Sequence, residues 1–249
     1  MSVTAPKSLP IRVVLPTYNE ADNLEEIAAA VLAEAPAGTG LLVVDDASPD
    51  GTGELADRLA TGDDRIDVLH RDVKEGLGPA YVAGFRRALA GGAERIVQMD
   101  ADLSHDPADV PRLVAATMEG GGGADLALGS RYVAGGGVGD WGRGRQAISR
   151  WGSIYARAWL GLGVYDLTGG FKCFRREVLE AIRIETVSAL GYAFQIETTY
   201  RAARAGFRVV EVPIVFRDRR VGESKMSRAI VAEAAWRVPL MRLRGTRWG

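Results

Sequence analysis

Hydrophobic and polar positions follow two alternating patterns in the first half of the chain. Short apolar runs at residues 11–16, 41–45, 66–70, 95–100 and 126–129 predict buried strands. Between them apolar residues recur at helical spacing, which predicts helices over residues 23–34, 51–59, 79–89 and 109–119. Strands separated by helical crossovers predict an α/β fold, with a mostly parallel sheet and helices on both faces.

The second half of the chain is less regular. Residues 134–145 are rich in glycine and predict a mobile loop over a site. Helices are predicted over residues 148–162, 176–182, 194–205 and 229–243. A strand is expected after the turn at residue 166, extended chain over 209–216 and a basic loop over 217–227. The helix over 148–162 has an apolar side, for which a buried face and a lipid contact are equally good explanations. That side comprises Ile148, Trp151, Ile154, Tyr155, Trp159 and Leu162.

The composition excludes several classes of protein. With 47% hydrophobic and 25% charged residues, the 249-residue chain is neither disordered nor fibrous. One cysteine and two histidines rule out a disulfide framework and the usual structural zinc site. No apolar run approaches the roughly 18 residues that span a bilayer, and the first ten residues lack the apolar segment of a signal peptide. We therefore expect a soluble or peripheral protein in the cytoplasm.

The net charge of −1 conceals a division along the chain. Up to Asp140 there are 11 basic and 23 acidic residues, a net charge of −12; the remainder has 20 basic and nine acidic residues, a net charge of +11. All but four of the basic residues are arginines. Because the arginine fork suits phosphate, the second half is expected to face anions.

Three predicted strand ends carry polar residues, and ligands of parallel sheets bind where strands end. Asp100 and Asp102 follow the fourth strand, and two carboxylates at this spacing can hold Mg²⁺ or Mn²⁺ together with a diphosphate. Alone, this spacing is more typical of a polar strand-to-loop turn, but its position beside two other acidic strand ends favours the metal site. Asp46, after the second strand, is a candidate acceptor for a nucleobase or ribose, with Tyr18 and Glu20 beside it. Residues 48–52 suit a turn and a helix cap.

Other nucleotide motifs are missing. The sequence has neither the glycine fingerprint of dinucleotide-binding proteins nor a Walker A lysine. A nucleotide held by carboxylates and a metal indicates a nucleotide-sugar. We expect His105 to support the site rather than to catalyse, and Cys173 to pack in the core.

Several segments together resemble a known family. A similarity to family-2 glycosyltransferases is found in residues 13–20, 43–46, 48–52, 99–105 and 129–132. The resemblance narrows to the polyprenol (dolichol) monophosphate mannose synthases at residues 166–171, 191–195, 211–214 and 222–225. The matching segments follow the order of that family from about residue 11 to residue 228. The resemblance implies a glycosyltransferase A-type fold. It also implies a tail over 1–10, a catalytic domain over 11–228 and a C-terminal amphipathic helix and tail over 229–249; the domain has a nucleotide-binding half (11–132) and an acceptor half (133–228).

The resemblance assigns residues to three groups. The nucleoside pocket comprises Pro16, Tyr18, Glu20, Val44 and Asp46, and the metal and diphosphate segment comprises Asp100, Ala101, Asp102 and Ser104. Arg131, Arg219 and Lys225 lie where the family holds phosphate groups, and with Asp102 they are the expected catalytic residues. The chain departs from the family at Arg220-Val221-Gly222, where an aromatic residue commonly precedes the glycine.

The implied activity is transfer of mannose from GDP-mannose to a polyprenyl phosphate, with inversion and with Mg²⁺ or Mn²⁺. The enzyme would be peripheral on the cytoplasmic face of a membrane, held by one of its own helices or by a separate membrane-anchoring subunit, with no nucleic-acid partner. Three alternatives remain open: a polyprenyl-phosphate glucose synthase using UDP-glucose, a family-2 enzyme with a glycan acceptor, and a non-catalytic sugar-nucleotide-binding subunit.

Overall fold

A computed structural model describes residues 9–120, 123–139, 142–187, 189, 191–217 and 228–244. Within these residues the chain forms nine strands and eight helices. The strands are β1 (Ile11–Thr17), β2 (Thr39–Asp45), β3 (Ile66–His70), β4 (Arg95–Gln98), β5 (Leu126–Ser130), β6 (Gly137–Val138), β7 (Lys172–Arg175), β8 (Val209–Pro213) and β9 (Val215–Phe216). The helices are α1 (Ala21–Glu34), α2 (Thr52–Gly62), α3 (Leu77–Ala90), α4 (Val110–Ala116), α5 (Arg143–Leu160), α6 (Arg176–Ala181), α7 (Gly191–Arg204) and α8 (Arg228–Arg244).

Seven strands form one sheet in the order β3-β2-β1-β4-β7-β5-β8. The pairs β3-β2, β2-β1, β1-β4 and β5-β8 are parallel, as the alternation of strands and helices predicted. Because β2, β1 and β4 are neighbours, their carboxyl ends lie side by side. The three polar strand ends therefore meet at one edge of the sheet.

Strand β7 runs antiparallel between β4 and β5. It pairs Lys172 with Gln98 of β4 and with Leu128 of β5. The strand was expected from the sequence, but its direction and its central position were not. The turn that leads into β7 consequently lies between the end of β4 and the end of β5.

Each face of the sheet packs a separate hydrophobic core, which confirms helices on both faces. Alternate residues of a strand point to opposite faces, so Val14 and Leu42 join the core covered by α3 and α7. Their neighbours Val13 and Leu41 join the core covered by α1 and α4. Cys173 is buried in the second core, as expected, and burial raises the pKa of its thiol to about 12.

The described part of the glycine-rich segment contains regular secondary structure, while its mobility stays a prediction. β6 pairs with β9, and α5 begins at Arg143 instead of residue 148. A Cβ on Gly136 would lie 2.4 Å from the carbonyl oxygen of Ser130, so the segment packs too closely for any side chain there. Residues 140 and 141 lie outside the described residues.

The C-terminal helix α8 packs against α5 and α7. Val238 and Met241 are buried in the core, and Arg242 donates to the carbonyl oxygen of Leu160 at 2.9 Å. The helix also exposes Trp236 and Leu243, and its predicted amphipathic character stays a prediction. None of the helices in the described ranges has the length and apolar composition needed to cross a bilayer.

Candidate active site at the carboxyl edge of the sheet

The ends of β1 and β2 are joined by the turn over residues 48–52. The Ser48 hydroxyl accepts from the backbone N–H of Asn19 at 3.2 Å, and Thr52 Oγ1 accepts from the N–H of Glu20 at 3.0 Å. Asp50 accepts from the N–H of Ala21 and from Thr52. The turn predicted for this segment is present, and it also holds the two strand ends together. The N-cap of α2 is Gly51, which makes no side-chain cap hydrogen bond; Asp50 accepts from the N–H of Thr52 instead. We call residues 16–20, 45–52 and 99–105 the carboxyl edge.

Each of these three loops contains a non-glycine residue with positive φ. The angles are 56° for Asn19, 58° for Ala47 and 59° for Leu103. Asparagine tolerates this left-handed conformation, whereas alanine and leucine adopt it at a cost. Strained backbone of this kind is typical of functional sites.

Asp46 is buried and holds the segment that follows β3. Its carboxylate accepts from Arg71 and from the backbone N–H groups of Glu75 at 3.2 Å and Gly76 at 2.8 Å. On the same segment Lys74 places its ammonium 3.4 Å from the centre of the Tyr18 ring. Residues 71–76 therefore form one wall beside Tyr18 and Asp46, a wall that the sequence analysis did not predict.

The other residues predicted for the nucleoside pocket differ in burial and in their contacts. Glu20 is half-buried and accepts from the Asn23 amide at 2.9 Å. Val44 is fully buried in the core beneath the edge, so its side chain is not accessible from the carboxyl edge. Pro16 pairs with Val44 in the sheet, and Ala101 packs in the opposite core.

Asp100 and Asp102 lie at the end of β4 and are held by buried partners. The Tyr81 hydroxyl, from α3, donates to Asp100 Oδ1 at 2.7 Å. Burial and the charge of Asp100 raise the pKa of Tyr81 well above its ordinary value, so the phenol remains a donor at neutral pH. Asp102 Oδ1 accepts from the N–H of Ser104 at 3.1 Å.

His105 supports this loop from below, as expected. Its Nδ1 accepts from the N–H of Asp100 at 3.1 Å, which assigns the proton of the neutral ring to Nε2. The ring stacks on Phe171, with centroids 4.8 Å apart. Burial lowers the pKa of His105, although the charges of Asp100 and Asp102 oppose this.

The residues at the end of β4 fit a hard divalent cation. The described residues contain no group of three acidic, histidine or cysteine side chains that would form a complete metal site. Magnesium-type sites, however, commonly use one or two carboxylates and complete the shell with water and substrate phosphate. Ser104 is fully buried, and its hydroxyl oxygen has no hydrogen-bond partner among the residues that the structure describes, which leaves an oxygen ligand beside Asp102.

Arg131, at the end of β5, is clamped by Asp166. Its Nε and Nη2 donate to the two carboxylate oxygens at 2.7 and 2.6 Å, and its backbone N–H donates to Oδ2 at 2.9 Å. Nη2 also donates to the Thr168 hydroxyl at 2.9 Å. Both side chains are almost completely buried. The sequence analysis recognised residues 166–171 but gave Asp166 no role, because the pairing joins residues 35 apart.

A second polar layer lies beneath Asp100. Lys172 Nζ is buried and donates to the Gln195 carbonyl oxygen at 2.7 Å and to Thr198 Oγ1 at 3.1 Å. The Gln195 side chain accepts from Gln98 at 2.6 Å. Burial lowers the pKa of Lys172 to about 7, while the charge of Asp166 opposes this. None of these residues was predicted as part of the site.

Two of the four predicted catalytic residues, Arg219 and Lys225, lie outside the described residues. The described chain approaches them at Arg217, whose backbone N–H donates to the Ser104 carbonyl oxygen at 3.1 Å. The Arg217 guanidinium lies 3.0 Å from Asp106. The basic loop therefore begins beside the end of β4.

This combination of sheet and acidic edge defines an A-type, nucleotide-sugar-dependent glycosyltransferase fold. The crystal structure of glucosyl-3-phosphoglycerate synthase from Mycobacterium tuberculosis with phosphoglyceric acid superposes with a TM-score of 0.67 at 23% identity. That alignment covers 94% of this chain and 80% of the other. A second structure of that enzyme, with Mn²⁺, uridine diphosphate and glucosyl-3-phosphoglycerate, gives a TM-score of 0.65 at 23% identity over 96% and 80% of the two chains. At this identity the likeness establishes the fold.

Residues 12–183 match glycosyl transferase family 2, and the chain belongs to that family. It is 49% identical to the polyprenol monophosphomannose synthase of Mycolicibacterium smegmatis over 234 residues, which cover 94% of this chain and 87% of the relative. It is 47% identical to the undecaprenyl-phosphate mannosyltransferase of Micrococcus luteus over 236 residues, which cover 95% and 92%. The narrower resemblance in the sequence is thereby confirmed.

Proposed function

We propose that this glycosyltransferase transfers mannose from GDP-mannose to a polyprenyl phosphate and yields polyprenyl-phosphate mannose. The observation that carries the proposal is the carboxyl edge, where Glu20, Asp46 and the pair Asp100 and Asp102 follow the ends of the neighbouring strands β1, β2 and β4. The names of the two relatives, each matched along almost the whole chain, supply the sugar and the lipid acceptor.

Donor binding in this proposal uses the space between β1, β2 and the wall formed by residues 71–76. The nucleoside lies against Tyr18, and the main chain at Pro16 and Val44 forms the floor. Glu20 and Asp46 supply carboxylates for the base and ribose, while Lys74 supplies a cation beside the Tyr18 ring. The choice of guanine rests on the relatives rather than on these contacts.

Asp100, Asp102 and Ser104 are the proposed ligands of a divalent cation, Mg²⁺ or Mn²⁺, beside Ala101. When bound, such an ion supplies positive charge to the diphosphate leaving group. The protein's own contribution is to fix the ligands: Tyr81 orients one oxygen of Asp100, and the N–H of Ser104 orients one oxygen of Asp102.

The reaction needs no strong general base, because the acceptor phosphate is already mostly dianionic at neutral pH. An acceptor oxygen attacks the anomeric carbon with inversion, the bond from that carbon to the diphosphate breaks, and GDP leaves with the electron pair. Cations must allow one anion to approach another, and Arg131, Arg219 and Lys225 are the proposed groups. Asp166 keeps the Arg131 guanidinium in one orientation.

A polyprenyl acceptor lies in a membrane, so we place the enzyme on the cytoplasmic face of a bilayer as a peripheral protein. A separate membrane-anchoring subunit stays a prediction. A transfer assay tests the proposal: radiolabelled GDP-mannose and UDP-glucose are each offered with a short polyprenyl phosphate and Mg²⁺ or Mn²⁺. We expect labelled lipid from GDP-mannose only. Labelling from UDP-glucose alone would favour the glucose synthase, and no labelling from either donor would contradict the proposal.

A further inference from the structure

We infer that the Gln195 side chain, together with Asp100, recognises a hydroxyl group of the sugar that is transferred. Gln195 thereby contributes to the choice of sugar, a role that the resemblance to the family does not assign to it. The inference rests on the proposed function for the class of donor, a nucleotide-sugar that carries a hexose.

The main chain of Gln195 is fixed inside the protein. The residue lies in α7 and is only 3% exposed. Its carbonyl oxygen accepts from Lys172 Nζ at 2.7 Å and from the hydroxyls of Thr198 and Thr199 at 3.2 and 3.1 Å. A side chain that is anchored in this way can present its polar atoms at one defined position.

The hydrogen bonds around Gln195 determine which end of its amide faces the candidate active site. An ionised Asp100 can only accept, so the Tyr81 hydroxyl donates to it, and the Tyr81 oxygen accepts from the Gln98 amide. The Gln98 amide also donates to Gln195 Oε1 at 2.6 Å. This leaves the Nε2 group of Gln195, which makes no hydrogen bond within the described residues.

The unused amide group borders a small space in front of Gly170. A Cβ on Gly170 would lie 3.4 Å from Gln195 Nε2 and 3.7 Å from Asp100 Oδ2. Gly170 and Asp100 are both partly exposed, so the space is accessible from the carboxyl edge. A hydrogen-bond donor and an acceptor therefore border one open space, which a side chain at position 170 would fill.

A donor beside an acceptor favours a hydroxyl group over the other groups of the substrate, because a hydroxyl both donates and accepts. A phosphate oxygen would be repelled by Asp100, and a cation would gain nothing from the N–H groups of Gln195. Asp100 can still bind a metal, since an ionised carboxylate offers about four acceptor positions.

The order of the strands assigns this hydroxyl to the hexose rather than to the ribose. Asp46, the proposed acceptor for the ribose, follows β2, whereas Gly170 lies in the turn that leads into β7, on the other side of β4. The proposed diphosphate site at Asp100 and Asp102 lies between them. The sites at β2, β4 and β7 thus follow the order of ribose, diphosphate and hexose in a nucleotide-sugar.

The test measures kcat/KM for sugar transfer with GDP-mannose and with analogues that each lack one hydroxyl of the mannose. Gln195→Met removes the amide and keeps the length of the side chain. Gly170→Ala fills the space with a methyl group and leaves the hydrogen bonds of Gln195 in place. Gly62→Ala is the control, because within the described chain a Cβ added there meets no atom within 4 Å.

Wild type and the control should lose about tenfold or more in kcat/KM with one of the analogues. Gln195→Met and Gly170→Ala should be about tenfold slower with GDP-mannose itself, and Gln195→Met should lose nothing further with that analogue. The affinity for GDP, measured by calorimetry with the same metal, should be equal in all the proteins, because GDP lacks the sugar.

Several outcomes would overturn the inference. These are equal sensitivity of wild type and Gln195→Met to every analogue, weaker GDP binding in both variants, or a raised KM for polyprenyl phosphate alone. The last two would assign the amide to the diphosphate and to the acceptor. If circular dichroism shows that Gln195→Met is unfolded, Gly170→Ala decides, and transfer by it at the wild-type rate would contradict the inference.

Wild type shows separately whether the proposed function holds. If it transfers glucose from UDP-glucose instead of mannose, the proposed function fails, and deoxy analogues of UDP-glucose test Gln195 in the same way. A wild type that is inactive with both donors would overturn the proposed function and the inference together.

Discussion

Around the carboxyl edge, Asp46, Asp102 and Arg131 are buried, whereas the outer sides of α5 and α8 expose large apolar side chains. This exposed set, called the α5–α8 face, comprises Ile148, Trp151, Ile154, Tyr155, Trp159, Trp236 and Leu243. Asp46, Asp102 and Arg131 are nearly inaccessible, and the side chain of each is held by hydrogen bonds from or to other protein groups. Trp151 and Trp236 are more than half exposed. Both arrangements are costly for an isolated protein in water, because buried ions lose hydration and exposed tryptophans order water.

The comparison indicates two kinds of functional surface in one chain. A rigid set of carboxylates suits a small polar ligand whose charges must be matched closely. An apolar area edged by arginines suits an extended ligand without fixed atomic positions. The opposite net charges of the two parts of the sequence are therefore consistent with a cation site in the first part and an anionic partner for the second.

Among the substitutions at the carboxyl edge, a change of Asp102 should reduce the transfer rate most. Replacing it by asparagine keeps its size but removes the charge, so we expect the transfer rate to fall by about a thousandfold or more. Steady-state kinetics with saturating metal measure the effect. Asp22→Asn, in the exposed first turn of α1 near the same edge, is the control and should transfer normally. Normal turnover by Asp102→Asn would remove this residue from the site.

The buried Arg131–Asp166 pair should contribute more to the free energy of unfolding than an ion pair on the surface does. Arg131→Met leaves the Asp166 carboxylate buried without its main cation, so the free energy of unfolding should fall by about 3–5 kcal/mol. Urea denaturation measures this loss. Arg65→Met removes a comparable pair with Asp63 on the surface and should change stability little. A similar loss of unfolding free energy in both variants would contradict the larger contribution of the buried pair.

Lys172, which is buried beneath the carboxyl edge, should make the stability of the fold depend on pH. Its folded pKa of about 7 lies below the ordinary 10.5, so above pH 7 the unfolded chain binds more protons than the folded one. Its contribution to stability therefore rises with pH from about 7 towards the unfolded pKa, by up to about 1.4 kcal/mol per pH unit. Below that range both states are protonated, and the penalty of burying the charge is complete.

The measurement is urea denaturation of wild type and Lys172→Met at several pH values between about 7 and about 9. The difference in unfolding free energy between them should shift in favour of wild type as the pH rises. In the variant the Gln195 carbonyl still accepts from Thr198 at 3.2 Å, so the site retains a donor. A difference that is independent of pH would contradict the lowered pKa of Lys172.

The smallest effect is expected from Tyr81, which touches a metal ligand rather than the substrate. Tyr81→Phe removes the hydrogen bond to Asp100, and such bonds contribute about 1 kcal/mol. We expect the metal concentration for half-maximal transfer to rise about fivefold, with a smaller change in the rate at saturating metal. Tyr155→Phe loses one hydroxyl on the α5–α8 face and should leave the metal dependence unchanged. Identical metal titrations for both variants would contradict the positioning role of Tyr81.

Much of the edge was predictable from the sequence, because a parallel sheet brings strand ends together and the polar residues at 18–20, 45–46 and 100–102 follow apolar runs. The partners of these residues were not predictable. Tyr81 belongs to the apolar side of α3, and the Asp166–Arg131 pair depends on the antiparallel insertion of β7. The apolar side of α5 was recognised, but periodicity does not tell which side faces the core. Here the smaller residues Ser153 and Ala156 allow close packing inward, so the tryptophans point outward.

The separation of the two surfaces can be measured in one assay. Mannose transfer from GDP-mannose is followed for wild type, Asp102→Asn and Trp151→Glu/Trp159→Glu, with polyprenyl phosphate either embedded in anionic vesicles or supplied as a short, soluble analogue. The account predicts that Asp102→Asn loses transfer to both acceptors, whereas the tryptophan variant loses transfer only to the embedded one. Equal loss of both activities in the tryptophan variant, or transfer to either acceptor by Asp102→Asn at the wild-type rate, would contradict it.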